Sequence, residues 1–144
     1  MRELYESEDD LARESKVIAL VESAWKCKAV KLSIKYSLDY VLTRGDKALA
    51  FCEVKTRNYT MAEIGQFGGY LLSLGKWMAA KQISESSDLP FFLVVKTTDA
   101  VYYAEFRTGF FQPDDVLVRG RKDRDDWQDI EPCVLLDVNK FKKF

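Results

Sequence analysis

Two charged residues interrupt the most apolar strand-like segment of this sequence, residues 48–55. Glu53 and Lys55 stand two positions apart, so in a β-strand their side chains point to the same face of the sheet. Burying charged groups is unfavourable unless they pair with an opposite charge or bind a metal ion. The pair therefore indicates a catalytic or metal-binding site at the end of this strand. The structural alternative is a salt bridge on an edge strand.

A third charged residue, Asp39, lies among apolar neighbours in the strand-like segment that precedes Glu53. If Asp39 pairs opposite Glu53, their Cβ atoms are about 4.5–5.5 Å apart, close enough for both carboxylates to bind one Mg²⁺ ion. The pairing depends on the register, because a two-residue turn at Gly45-Asp46 would place the two carboxylates on opposite faces. The hypothesis therefore requires an odd loop length or a β-bulge between Thr43 and Ala48.

The periodicity of apolar residues predicts the elements that must position these side chains. It predicts an amphipathic helix over residues 9–27, a meander of three strands over 29–36, 38–43 and 48–56, and a second helix over 61–86. Two strands follow over 90–96 and 101–106, and two short strands over 114–119 and 133–138 flank a charged loop. This order predicts an α/β fold in which a mixed β-sheet is flanked by helices, as one domain over residues 1–144.

The composition excludes several classes of function. Histidine is absent, which removes Ser-His-Asp and Cys-His hydrolases and enzymes with histidine-bound metals. Cys27, Cys52 and Cys133 are far apart, so we expect reduced thiols rather than disulfides or a zinc site. The net charge of −1 gives no overall attraction to polyanions, and no apolar segment is long enough to span a membrane. The acidic N-terminal residues do not look like a signal peptide, so we expect the protein in the cytoplasm.

The residues and elements resemble the PD-(D/E)xK nuclease superfamily, in the branch of RecB-type nucleases and archaeal Holliday junction resolvases. The resemblance covers roughly residues 10–96 and includes the core of that superfamily: a helix, a three-strand meander, a helix and a further strand. Asp39 matches the Asp of the motif, and residues 53–55 match its E-x-K tripeptide. Leu38 stands where the motif has Pro. The resemblance implies a restriction-endonuclease-like core.

The resemblance also implies a role for each matching residue. Asp39, Glu53 and the backbone carbonyl of Val54 would hold one or two Mg²⁺ ions, for which Mn²⁺ would substitute. Lys55 would orient or deprotonate the attacking water. Gln66 would contact the metal-bound water or the DNA.

Further residues are implied around that centre. A glutamate in the first helix is usual in the superfamily, and Glu14 stands at a separation from Asp39 like that in archaeal Holliday junction resolvases. It would be a further metal ligand, with Glu22 as second choice. Gln66 and Tyr70 look like the Q-x-x-x-Y element of the RecB-type branch, which would place both on one face of the second helix. The residues expected to contact nucleic acid are Tyr70, Arg57, Lys76 and Lys81.

Glycine is concentrated in the second predicted helix. Four of the seven glycines of the chain lie there, and each costs a helix up to ~1 kcal/mol relative to alanine. Something must therefore approach this segment closely: the DNA backbone, a partner helix or the sheet itself.

With the resemblance, the sequence predicts a magnesium-dependent deoxyribonuclease that hydrolyses phosphodiester bonds and does not associate with membranes. A domain of this size has little surface for reading a base sequence, so we expect it to recognise DNA structure, either branches or ends, with a homodimer left open. A phage origin, and hence the host cytoplasm, would suit such an enzyme. The alternative is a non-catalytic module on the same fold that binds nucleic acid or protein, and RNA also stays open as a substrate.

Overall fold

The computed structural model describes residues 8–33, 38–107, 115–120 and 130–144. The helices and strands in these segments are α1 (Glu8–Trp25), β1 (Lys28–Lys31), β2 (Tyr40–Arg44), β3 (Lys47–Thr56), α2 (Met61–Gln66), β4 (Tyr70–Ser73), α3 (Leu74–Ser87), β5 (Phe91–Lys96), β6 (Val101–Phe106), β7 (Asp115–Gly120), β8 (Ile130–Leu136) and β9 (Lys142–Lys143). Most of the charged loop that the sequence predicts after β7 lies outside the described residues. Within them, no helix is both long enough and apolar enough to cross a membrane.

Six strands form the main sheet, in the order β1-β2-β3-β5-β6-β9. Strands β1, β2 and β3 are antiparallel neighbours, as predicted, whereas β3 and β5 run parallel. The chain between these two parallel strands contains α2, β4 and α3. The predicted α/β fold with a mixed sheet flanked by helices is therefore confirmed.

Both faces of the main sheet are covered, which explains why β3 is so apolar. On one face, α1 packs Val17, Ile18 and Val21 against the even-numbered residues 50, 52 and 54 of β3. On the other face lie α3 and a second, three-stranded sheet in the order β4-β8-β7. Because side chains alternate along a strand, Glu53 and Lys55 point to this second face.

The hairpin between β2 and β3 contains the irregularity that the proposed carboxylate pair requires. Its turn has two residues, since Arg44 pairs with Lys47, and on that register Asp39 and Glu53 would face opposite sides. A bulge then shifts the pairing, so that Leu42 pairs with Ala50. The bulge lies one residue beyond the predicted interval, at position 49, and extending the shifted register places Asp39 opposite Glu53.

The prediction of one continuous helix over residues 61–86 is wrong. Helix α2 ends at Gln66, and Gly68 and Gly69 then have φ angles of +104° and +136°, which L-residues rarely adopt. The chain leaves this turn as strand β4, which pairs antiparallel with β8 before α3 begins. The physical reason is tertiary: pairing with a distant strand satisfies the backbone of β4, and the glycine pair permits the turn that leads into it.

We predict opposite effects for alanine at two glycines of this region. A Cβ at Gly69 would lie 2.6 Å from the carbonyl oxygen of Leu136, at a φ of +136°. We expect Gly69→Ala to lower the free energy of unfolding by at least about 2 kcal/mol, measured by urea denaturation. Gly75 lies in α3 with no atom within 4 Å of such a Cβ, so Gly75→Ala should raise stability by up to ~1 kcal/mol. Equal stability of the two variants would contradict this account of the turn.

Candidate active site

The predicted acidic residues meet where β2 begins and β3 ends. Asp39 directly precedes β2, and Glu53 lies near the end of β3 on the sheet face that α3 covers. The Glu53 side chain is only 1% exposed, whereas that of Asp39 is 23% exposed. The site is therefore a partly open acidic pair at one end of the central strand.

Reciprocal hydrogen bonds hold the two carboxylates beside each other. The amide of Asp39 donates to Glu53 Oε2 at 3.1 Å, and the amide of Val54 donates to Asp39 Oδ2 at 3.0 Å. Each carboxylate is thus bound to the backbone of the other strand. Because the amide and carbonyl of one residue point to the same side of a strand, the Val54 carbonyl faces the Asp39 side as well.

Two lysines approach the buried carboxylate from different elements. The Nζ atom of Lys55, on β3, lies 3.4 Å from Glu53 Oε1, and that of Lys76, on α3, lies 3.1 Å from the same oxygen. The backbone amide of Lys76 is bound by the hydroxyl of Ser73, the N-cap residue of α3. Lys76, which the sequence predicts as a nucleic-acid contact, therefore lies in the first turn of α3 directly beside the acidic pair.

Burial and the neighbouring lysines shift the pKa of Glu53 in opposite directions. Its pKa is raised, first by burial and then by the negative charge of Asp39, while Lys55 and Lys76 lower it. The pKa of the buried Cys52 thiol is raised as well, by burial and then by the charges of Asp39 and Glu53. Positive charge near these carboxylates lowers the pKa of Glu53 and stabilises its ionised form, so the site favours cations.

The structure brings Glu14, from α1, toward Asp39. The Glu14 carboxylate lies 3.2 Å from Lys31 Nζ, which lies 3.8 Å from Asp39 Oδ1. Glu14 also acts on the Tyr40 hydroxyl, whose pKa is raised first by burial and then by the charge of Glu14. The other candidate, Glu22, instead accepts a hydrogen bond from the amide of Ala29 at 3.0 Å, at the start of β1.

Lys31 is a residue of this site that the sequence reasoning missed. It pairs with Tyr40 across β1 and β2, and its Nζ lies 4.8 Å from the centre of the Tyr40 ring. The residue that lies opposite Lys31 is set by the register between β1 and β2, and the sequence does not determine that register. Once that register is known, Lys31 must lie beside the start of β2 and so beside Asp39.

The donor set of the site fits a hard divalent cation. Among the described residues, no group of three or more Asp, Glu, Cys or His side chains is arranged to hold a metal ion. Two fixed carboxylates and a carbonyl on the same side are nevertheless the kind of incomplete oxygen set that Mg²⁺ takes, because it usually keeps several water ligands. Asp39, Glu53 and Val54 are thus the residues that could hold it.

Gln66 and Tyr70 do not share one face of a helix, so that prediction is wrong. Gln66 is the exposed last residue of α2, whereas Tyr70 opens β4 and is only 1% exposed. The Tyr70 ring packs against Phe141, with ring centres 5.4 Å apart. None of the hydrogen bonds and ion pairs of the described residues joins Gln66 to the carboxylates. The reason is the glycine turn between the two residues.

The two remaining predicted contacts lie apart from each other. The Arg57 guanidinium, just beyond the end of β3, lies 5.0 Å from the centre of the Tyr70 ring. Lys81 follows Lys76 by five residues in α3, which turns its side chain about 140° around the helix axis. The structure therefore brings Lys76 to the carboxylates and directs Lys81 to the other side of the buried stripe of α3, formed by Trp77, Ala80 and Ser84.

We predict that the Tyr70 hydroxyl costs the protein stability. Among the described residues it is the one buried side-chain polar atom without a hydrogen-bond partner. We expect Tyr70→Phe to raise the free energy of unfolding by about 1 kcal/mol in urea denaturation. The matched control is Tyr102→Phe, which removes a hydroxyl that donates to Asp99 Oδ2 at 3.1 Å and should lower stability slightly. A Tyr70→Phe variant less stable than this control would show that the hydroxyl has a partner.

Comparisons with known proteins identify a family for this chain. No curated protein sequence matches the chain. Among solved structures, the chain is similar to the Holliday junction resolvase Hjc of the archaeal hyperthermophile Archaeoglobus fulgidus, with 17% identity, a TM-score of 0.46, and coverage of 64% of this chain and 69% of that one. The model of a protein family described as "Phage putative PDDEXK endonuclease" matches residues 1–144. The chain therefore belongs to this phage PD-(D/E)xK endonuclease family, and the superfamily resemblance drawn from Asp39, Glu53 and Lys55 is confirmed.

Proposed function

We propose that this protein is a divalent-metal-dependent deoxyribonuclease that hydrolyses phosphodiester bonds in DNA. The observation that carries the proposal is the convergence of three side chains at one end of β3. The Asp39 carboxylate accepts a hydrogen bond from the amide of Val54, next to Glu53, at 3.0 Å, and the Asp39 amide donates to Glu53 Oε2 at 3.1 Å. Lys55 Nζ lies 3.4 Å from Glu53 Oε1. Burying the Glu53 carboxylate is unfavourable, so its position beside Asp39 and Lys55 favours a catalytic site over a binding module.

Asp39, Glu53 and the carbonyl of Val54 are the residues that would hold Mg²⁺ or Mn²⁺, and Glu14 would add negative charge from α1. A divalent cation bound there would polarise the scissile phosphate and lower the pKa of a bound water. The reciprocal backbone hydrogen bonds keep the two carboxylates in place before any ion or substrate arrives. The chain thus supplies a preformed ligand pair.

The lysines of the site, which pair with its carboxylates, can also contact the substrate. The ammonium groups of Lys31, Lys55 and Lys76 face carboxylates, yet these side chains are 49%, 31% and 30% exposed. Long side chains of this exposure can turn without disturbing the core. When another cation pairs with the carboxylates, we propose that Lys55 orients or deprotonates the attacking water, and that Lys76 binds a phosphate oxygen.

We further propose that the enzyme selects DNA by its structure, at branches or ends. The groups around the site are carboxylates and ammonium groups, which contact phosphates and metal ions and carry no information about base sequence. Selection must then come from the shape of the DNA that can bring a phosphate to this sheet end. A homodimer would present two such sites to a branched substrate.

We predict that Lys55→Ala abolishes cleavage. Wild-type protein and Lys55→Ala are incubated with labelled duplex, single-stranded and four-way-junction DNA, with Mg²⁺, with Mn²⁺ and with a chelator. We expect metal-dependent cleavage by the wild type and a loss of at least about 100-fold in the variant, because Lys55 is the group proposed to orient or deprotonate the attacking water. Lys47→Ala, at the exposed other end of the same strand, is the matched control and should retain full activity.

Two results would contradict the proposal. If wild type and Lys55→Ala bind DNA equally but neither cleaves any substrate, the protein is a binding module. If Lys55→Ala cleaves as fast as Lys47→Ala, catalysis takes place elsewhere in the chain.

A further inference from the structure

A pocket of about 330 Å³ lies at the glycine turn, between residues that follow the end of β3 and residues that begin β4. Its lining has an aromatic and a basic part. The main lining residues are Arg57, Tyr59, Ile64, Phe67, Gly68 and Tyr70. None of these residues has a part in the hydrolysis proposed above.

Two exposed aromatic side chains stand at the mouth of this pocket. Phe67 is 65% exposed and Tyr59 is 46% exposed. Six large apolar side chains are exposed in the described part of the chain, and the other four are aliphatic or Met and lie on α1, β1 and α3. Both aromatic members of that set therefore line one pocket. Exposed apolar residues that have no function are usually scattered singly over the surface.

The aromatic pair is held in a defined arrangement. The two rings meet edge to face, with centres 5.0 Å apart and planes at 81°. Between them in sequence, Thr60 and Glu63 form a capping box that fixes the start of α2. Phe67 is the C-cap residue of the same short helix, and no atom beyond the adjacent residues lies within 4 Å of a Cβ built at Gly68. One face of the pair is thus left accessible beside an open turn.

Tyr70 connects this pocket with the acidic pair. The Arg57 guanidinium stacks over its ring at 5.0 Å. The pKa of the Tyr70 hydroxyl is raised chiefly by burial, and the charges of Arg57 and Glu53 then act on it in opposite directions. Arg57 also follows Lys55 by two residues along the strand end. Arg57 therefore both lines the pocket and lies at the end of the strand that carries Glu53 and Lys55.

We infer that this pocket binds an unpaired nucleobase of the DNA strand that is cleaved, and the inference rests on the proposed nuclease function. Aromatic rings stack bases of any sequence, and a nearby cation binds the phosphate that the base carries. The volume is at the lower end of the range for small-molecule pockets, which suits one planar ring system and is too small for a helix of a partner protein. The preferred substrate then has an unpaired nucleotide next to the scissile phosphate, as at an overhang or a branch point.

The experiment measures binding rather than cleavage, in a Lys55→Ala background with Mg²⁺ so that the DNA stays intact. The probes are a duplex with a short single-stranded overhang carrying 2-aminopurine and a blunt duplex of the same length. Phe67→Leu keeps an apolar side chain and removes the aromatic face, Phe67→Trp restores a ring, and Met78→Leu is the control for an exposed apolar residue.

We expect Phe67→Leu to weaken binding of the overhang DNA by about 5- to 150-fold, with loss of 2-aminopurine quenching, and to change blunt-duplex binding by less than about twofold. Phe67→Trp should bind the overhang as the parent does, and Met78→Leu should change nothing.

An equal effect of Phe67→Leu on both probes, or no effect on either, would overturn the inference. The two proposals fail separately. If Phe67→Leu behaves as expected but the wild type cleaves no DNA, the hydrolysis is wrong and the base pocket stands. If the parent binds neither probe, the base pocket is wrong, and cleavage by the wild type still decides the hydrolysis.

Discussion

The site depends on the pair of hydrogen bonds by which Asp39 and Glu53 each bind the backbone of the other's strand. These bonds require that the two residues lie opposite each other on one face. With the two-residue turn alone they would point to opposite faces, and the bulge at position 49 of β3 corrects the register. A single extra residue in one strand therefore decides whether the two carboxylates can act together.

The burial of Glu53 makes a second demand, which the interrupted helix meets. Its carboxylate is stabilised by Lys55 from its own strand and by Lys76 from α3. Lys76 is in position because the chain turns at Gly68 and Gly69, pairs as β4, and restarts as a helix capped by Ser73. The interruption of the helix thus buries Tyr70 in β4 and also places the Lys76 ammonium beside the Glu53 carboxylate. Phe67 is exposed next to the same turn. The turn therefore positions both Lys76, the proposed phosphate contact, and Phe67, the proposed base contact.

The parts of this structure that rest on local pattern could be predicted from the sequence. Strand alternation placed Glu53 and Lys55 on one face of the sheet. A two-residue turn would have put Asp39 and Glu53 on opposite faces, so the predicted pair required a bulge. The continuous second helix was wrong because its apolar spacing fits a helix, while the partner of β4, strand β8, lies about sixty residues further along the chain. The glycine content did signal a close approach, and at Gly69 the approaching atom is the carbonyl oxygen of Leu136. Lys31 could not be identified because its neighbours depend on the register of β1.

The central claim is that Asp39 and Glu53 form one cation site, and anomalous scattering from Mn²⁺ tests it most directly. Crystals of the wild type and of Asp39→Asn would be soaked in MnCl₂ and measured at the manganese edge. We expect a peak in the wild type within about 2.5 Å of an oxygen of each carboxylate, and its loss in the variant. Manganese bound elsewhere, with no peak between these carboxylates, would contradict the account.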